Sequence, residues 1–61
     1  MSKYVEIPAG EVGLFTPTGK FFQLGETELV KVDRIEDDTV YVLGGDVAFN
    51  TAQVRFVGQG A

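Results

Sequence analysis

The sequence predicts an all-β domain, a small barrel of five or six short antiparallel strands. Three observations predict it. Residues Thr39 to Val57, TVYVLGGDVAFNTAQVRFV, read as strand, tight turn, strand, polar break, strand. Eight glycines, two prolines and many β-branched residues argue for short strands at close spacing, and helix signals are nearly absent. Sixty-one residues make one domain, residues 1–61, with no internal repeat, linker or low-complexity stretch.

The elements follow in order. Lys3 to Ile7 reads as a first strand ended by Pro8-Ala9-Gly10, and Val12 to Phe15 as a second. Thr16-Pro17-Thr18-Gly19 is a turn, with proline fixing φ and glycine closing it. Lys20 to Gln23 is a third strand and Leu24-Gly25-Glu26-Thr27 another turn. Glu28 to Glu36 is the longest strand, turned back by Asp37-Asp38 into Thr39 to Leu43. Its alternation is imperfect, because Val30 and Val32 share one face while Leu29 and Ile35 fall on the other. A bulge near Asp33-Arg34 would return Ile35 to the core side. Gly44-Gly45-Asp46 is a turn, Val47 to Phe49 a short strand, Asn50 to Gln53 the one expected 3₁₀ turn, and Val54 to Val57 the last strand. The expected core is Val5, Ile7, Leu14, Phe22, Val30, Val32, Ile35, Val40, Val42, Val47, Val54 and Phe56, with Val32, Val42 and Val54 at its centre.

Composition sets bounds. A domain this short buries only about 60% of its unfolded surface, so its core is marginal. The chain has no cysteine and no histidine, so neither disulfides nor thiolate metal sites supplement the core. Packing and oligomerisation remain as supports. No run approaches a membrane span, and MSKYVEIPAG lacks the apolar stretch of a signal peptide. The expectation is a soluble protein of the cytoplasm, the host cytoplasm if phage-encoded.

Nine acids against five bases give a formal charge of −4, and seven of the nine acids lie between Glu26 and Asp46. Such a chain is repelled by phosphate backbones, which argues against general nucleic-acid binding. A basic partner, mimicry of nucleic-acid charge and a plain solvated surface all fit this distribution.

Residues 21–57, FFQLGETELVKVDRIEDDTVYVLGGDVAFNTAQVRFV, resemble the SH3-like barrel superfamily. Leu24-Gly25-Glu26 is similar to the turn before its long strand. Gly45-Asp46-Val47-Ala48-Phe49-Asn50 with Ala52-Gln53-Val54 is similar to the segment around its 3₁₀ turn. The resemblance implies a fold, and fold does not imply function. The departures are specific. There is no ALYDY-like segment and no tryptophan after Asp37-Asp38, while Ala48 and Ala52 stand where the module has proline and tyrosine. Those aromatics form the groove for polyproline ligands, so no polyproline-peptide binding is expected. In compactness the chain is also similar to small bacterial, plasmid and phage proteins.

No enzyme is expected. Without histidine or cysteine the usual general base and the usual strong nucleophile are missing. Glu36, Asp37 and Asp38 fall in a turn that reads as solvated. Asp37, Asp38 and Asp46 lack calcium-loop spacing, and Gly44-Gly45-Asp46 is not a phosphate loop. No cofactor and no metal is expected.

Seven aromatics in 61 residues exceed what so small a core encloses. Phe21 and Phe22 point to opposite faces, and Tyr41 points away from Val40 and Val42. The leading expectation is therefore a non-enzymatic interaction module. Its partner-binding residues would be Tyr41, Phe21 and Phe49, rimmed by Asp33, Glu36, Asp37, Asp38 and Asp46. A phage or plasmid accessory protein that binds and inhibits a host protein fits this description. The alternative is a structural or assembly protein, a minor virion or oligomeric component acting by self-association. An enzyme with its site on an oligomer's symmetry axis ranks third, and a nucleic-acid binder last.

Overall fold

A computed structural model describes residues 3–57, so the ends of the 1–61 domain lie outside the described residues. All described regular structure is strand or 3₁₀ turn. The order is β1 (Tyr4–Ile7), β2 (Val12–Phe15), β3 (Lys20–Gln23), β4 (Glu28–Glu36), β5 (Thr39–Val42), a 3₁₀ turn (Leu43–Gly45), β6 (Val47–Asn50), a second 3₁₀ turn (Thr51–Gln53) and β7 (Arg55–Val57). Every pairing is antiparallel, in one sheet of order β3-β2-β6-β5-β4-β1-β7.

Three expectations need correction. The described residues form seven strands, not five or six. The sheet is open, with β3 and β7 at its ends, and does not close into a barrel among the described residues. There are two 3₁₀ turns rather than one. The extra turn arises at Leu43-Gly44-Gly45, whose φ angles of 54°, 70° and 93° are all left-handed. Two consecutive glycines make that path accessible, and Leu43 is carried into it with them.

β4 bends the sheet around the core. Its first half pairs with β1 (Val5 opposite Val30, Ile7 opposite Glu28) and its second half with β5 (Val32 opposite Val42, Ile35 opposite Val40). The register shifts between Val32 and Arg34, so the expected bulge is present. One nine-residue strand thus serves two neighbours, which a straight strand this long does poorly.

The core is Val5, Ile7, Val40, Val42, Val47 and Phe49, with Phe22, Leu24, Val30, Val32 and Val54 packed against it. The Phe22 and Phe49 rings meet edge to face, centroids 6.2 Å apart. Gly13 lies on this face because nothing larger fits: a Cβ there would stand 2.6 Å from Phe49 Cζ.

The expected core is wrong at four places. Phe56 lies opposite Val5, on the inward side, yet is 47% exposed because β7 is the last described strand of the sheet. Ile35 is brought opposite Val40 by the bulge but stands at the far end of β4, past the core, and is exposed. Leu14 belongs to the outer face. Phe49, expected outside, is 3% exposed and central. Val32 and Val54 are only half-buried, whereas Val42 is fully buried.

Candidate functional interface

Residues directly opposite on antiparallel strands share a face. Following the register from β3 to β4, Phe21 is opposite Leu14, Leu14 opposite Ala48, Ala48 opposite Tyr41, and Tyr41 opposite Arg34. These five side chains form one row across five strands on the outer face of the sheet. Beside it on the same face lie Gln23 opposite Val12, and Asn50, Thr39 and Glu36 opposite one another in turn. The structure thereby brings Tyr41 and Phe21 onto one surface through two residues that the sequence pattern did not assign to it, Leu14 and Ala48. Leu14 was assigned inward; the glycine at 13, on the side that approaches Phe49, is the signal that reverses it.

The surface has a floor and two walls. Ala48 is the floor, buried beneath its larger neighbours. Phe21, 73% exposed, and the exposed Val12 form the wall toward β3. Tyr41 forms the other wall. Its ring lies outside the core as expected, but it is half-buried, because the Arg34 guanidinium stacks 4.0 Å from its centroid. A shallow depression of about 190 Å³ lies on the Phe21 side of this face, bounded by Val12, Leu14, Phe21, Thr39, Ala48, Phe49, Asn50 and Gln53, and Tyr41 stands outside it.

The second 3₁₀ turn fixes one end of this surface. Asn50 Oδ1 accepts from Ala52 N–H at 2.9 Å, and Asn50 N–H donates to Gln53 Oε1 at 2.8 Å, a reciprocal cap. Gln53 Nε2 then donates to Val12 O and to Glu11 Oε1, tying the turn to β2.

The acids divide into two groups. Glu36, Asp37 and Asp38 occupy the tip of the β4–β5 hairpin, where Asp37 takes a left-handed φ of 52° that aspartate tolerates. Asp33 and Asp46 lie toward the first 3₁₀ turn; a Cβ on Gly45 would stand 3.7 Å from Asp33 Oδ2. Arg34 joins the groups, with Nε 3.2 Å from Glu36 and Nη1 3.6 Å from Asp33. Both ion pairs are exposed, and such pairs contribute little to stability. Their effect here is to hold Arg34 over Tyr41. The acidic rim therefore borders the Tyr41 wall and not the Phe21 wall. Phe49 is 3% exposed and meets this surface only as part of the depression's lining, so the exposed apolar side chains there are Val12 and Phe21.

On the inward side, an apolar groove of about 290 Å³ opens between the end of β3 and the start of β4, lined chiefly by Phe22, Leu24, Val30 and Leu43. Leu43 is 62% exposed at its mouth, in a backbone conformation that disfavours leucine. Among the described residues no group of three or more carboxylates converges as a metal ion would require, and no helix is long and apolar enough to cross a membrane. Comparison with protein-family models, with curated proteins and with solved structures found no match.

Proposed function

We propose that this chain is a small non-enzymatic protein-interaction module of SH3-like type, binding a protein partner through the outer face of its sheet. The observation that carries the reading is the row Phe21, Leu14, Ala48, Tyr41 and Arg34. It is an apolar strip across four strands, ended on the fifth by Arg34 and the acids around it. Contiguous apolar surface with a polar rim is the usual form of a binding patch, whereas scattered apolar residues are ordinary. Aromatic anchors beside an arginine match the composition of binding hot spots. The acids around Arg34 favour a partner with basic groups at the matching border and speed its encounter at low salt. If the chain is an accessory protein of a phage or plasmid, the partner is a host protein that it inhibits.

The SH3-like part of the reading is supported by the β4-β5-β6 meander, by the 3₁₀ turn before the last strand, and by the return of β7 to pair with β1. The test is affinity capture from the native host, followed by titration of the identified partner at two salt concentrations. Tyr41→Ala should leave the domain folded and weaken binding by about 1–3 kcal/mol, as for an interface aromatic. Equal affinities for parent and variant remove Tyr41 from the site, and salt-independent binding removes the acidic rim.

A further inference from the structure

We infer that β3 is a self-pairing edge. Two copies of this chain join β3 to β3 antiparallel, centred on Phe22, into one continuous sheet. The inference concerns a backbone edge and does not depend on the partner-binding reading, although Phe21 serves both.

The hydrogen-bond direction of each β3 residue follows from its neighbours. Leu24 N–H donates to Glu11 O at 3.0 Å, so Leu24 faces β2. The carbonyl of Val12, opposite Gln23, is turned the other way and accepts from Gln53 at 2.9 Å. Thr16 N–H likewise points to β6, donating to Asp46 O at 2.9 Å. Alternation then fixes the rest. Phe22 bonds to β2 and Lys20 N–H donates to Thr18 Oγ1 in the turn, while the N–H and C=O of Phe21 and Gln23 point away from the sheet, where no described strand meets them.

In an antiparallel pair of identical strands, outward-bonding residues must meet outward-bonding residues. Three registers allow this. Only the register that sets Phe21 opposite Gln23 of the second copy, and Gln23 opposite its Phe21, engages both residues. Each such pair exchanges two hydrogen bonds. Natural edges are blunted by proline, by bulges or by inward charges. β3 has no proline and no bulge, its register with β2 is unbroken over four residues, and its one inward-face charge, Lys20, stands at the turn end of the strand.

Charge selects a second copy as the occupant. From Val12 to Gly25 there is no acid and one lysine, whereas seven acids crowd Glu26 to Asp46. A twofold axis on β3 brings together the acid-free arms of two chains of charge −4 and sets the acidic hairpins apart. Phe21, the most exposed large apolar side chain described, is then covered across the axis. The strand is short, so the dimer belongs to the weak, transient class.

The test combines sedimentation with residue-resolved amide exchange across a broad range of protein concentration. The expected result is a concentration-dependent dimer in which the Phe21 and Gln23 amides exchange at least fivefold more slowly, while that of Phe22, turned toward β2 throughout, does not change. A protein that stays monomeric overturns the inference, and so does a dimer that leaves the Phe21 and Gln23 amides unprotected. Gln23→Pro removes one outward N–H from an edge position that tolerates proline and should weaken dimerisation at least tenfold. Phe21→Lys, placing like charges beside the axis, should do the same if the proline variant does not fold. Because Gln23→Pro keeps the side chains of the outer row, a monomeric variant that still captures the partner separates this edge from the partner surface. Added salt should strengthen the dimer by screening two acidic chains, opposite in sign to the effect on a basic partner.

Discussion

The two faces of the sheet are built from alternate residues of the same strands and follow different rules. On the inner face, Val5, Ile7, Val40, Val42, Val47 and Phe49 are almost wholly removed from water and are supplied from both sides of the bend in β4. On the outer face, Tyr41 and Ala48, each one residue away from an inner neighbour, are covered only by what lies beside them in the row. The inner face is complete. The outer face ends at Phe21 with a ring in solvent. The difference teaches that an open sheet of this size has material for one core. Its second apolar face is therefore left available for association.

Substitutions on the two faces can break or sharpen that contrast. The largest effect is expected at the centre of the inner face. Val42→Asp sets an unpaired carboxylate where the residue is 1% exposed. The cost of several kcal/mol rivals the roughly 3–9 kcal/mol that a chain of this length holds at about 0.05–0.15 kcal/mol per residue. The variant should be unfolded by circular dichroism at room temperature, and a melting curve like the parent's would mean that the inner face is misassigned.

Gly13→Ala comes next. Its Cβ would stand 2.6 Å and 2.8 Å from two atoms of the Phe49 ring, so the ring must shift against Phe22. Overpacking of this kind costs about 1–3 kcal/mol, readable as a lower urea midpoint. An unchanged midpoint would show that the inner face has slack beside Phe49.

The join between the faces at the end of β5 offers a change of opposite sign. Leu43→Gly relieves a left-handed leucine, worth about 1 kcal/mol or more, against a loss of about 0.5–1 kcal/mol of chain entropy for glycine. The net expectation is a small stabilisation, between about 0 and 1.5 kcal/mol by that difference. A clear loss of stability would indicate that Leu43 packs over the groove in solution.

The smallest effect belongs to the outer rim. Phe21→Ser should move stability by no more than about 0.5 kcal/mol, as for a surface site, while reducing binding through the outer row. Loss of stability without loss of binding would transfer Phe21 from the interface to the fold.

Much of this molecule is readable from local pattern. Alternation and turn residues placed all seven strand segments, including the full length of Glu28–Glu36 and its bulge. The reciprocal cap between Asn50 and Gln53 marks the second 3₁₀ turn at a spacing of three. The first 3₁₀ turn gave no comparable signal, since it has no side-chain cap and rests on backbone angles alone. The candidate surface was half legible. Tyr41 opposes Val40 and Val42 by parity, and Phe21 opposes Phe22. That Tyr41 and Phe21 share one surface is a fact of register between β3, β2, β6 and β5, and local pattern does not encode it.

The sequence by itself determined the all-β class, the strand boundaries to within a residue or so, and which side chains of each strand lie on opposite sides. Backbone sterics and side-chain alternation act between near neighbours, so these properties are local. Only the tertiary structure decided which side is inward at Leu14 and Phe49, how far the core extends toward Ile35 and Phe56, that the sheet stays open, and that Arg34 covers Tyr41. Each of these depends on a partner distant in sequence. Burial is a property of the space that such partners leave, and alternation can name two faces without saying which one the rest of the chain will cover.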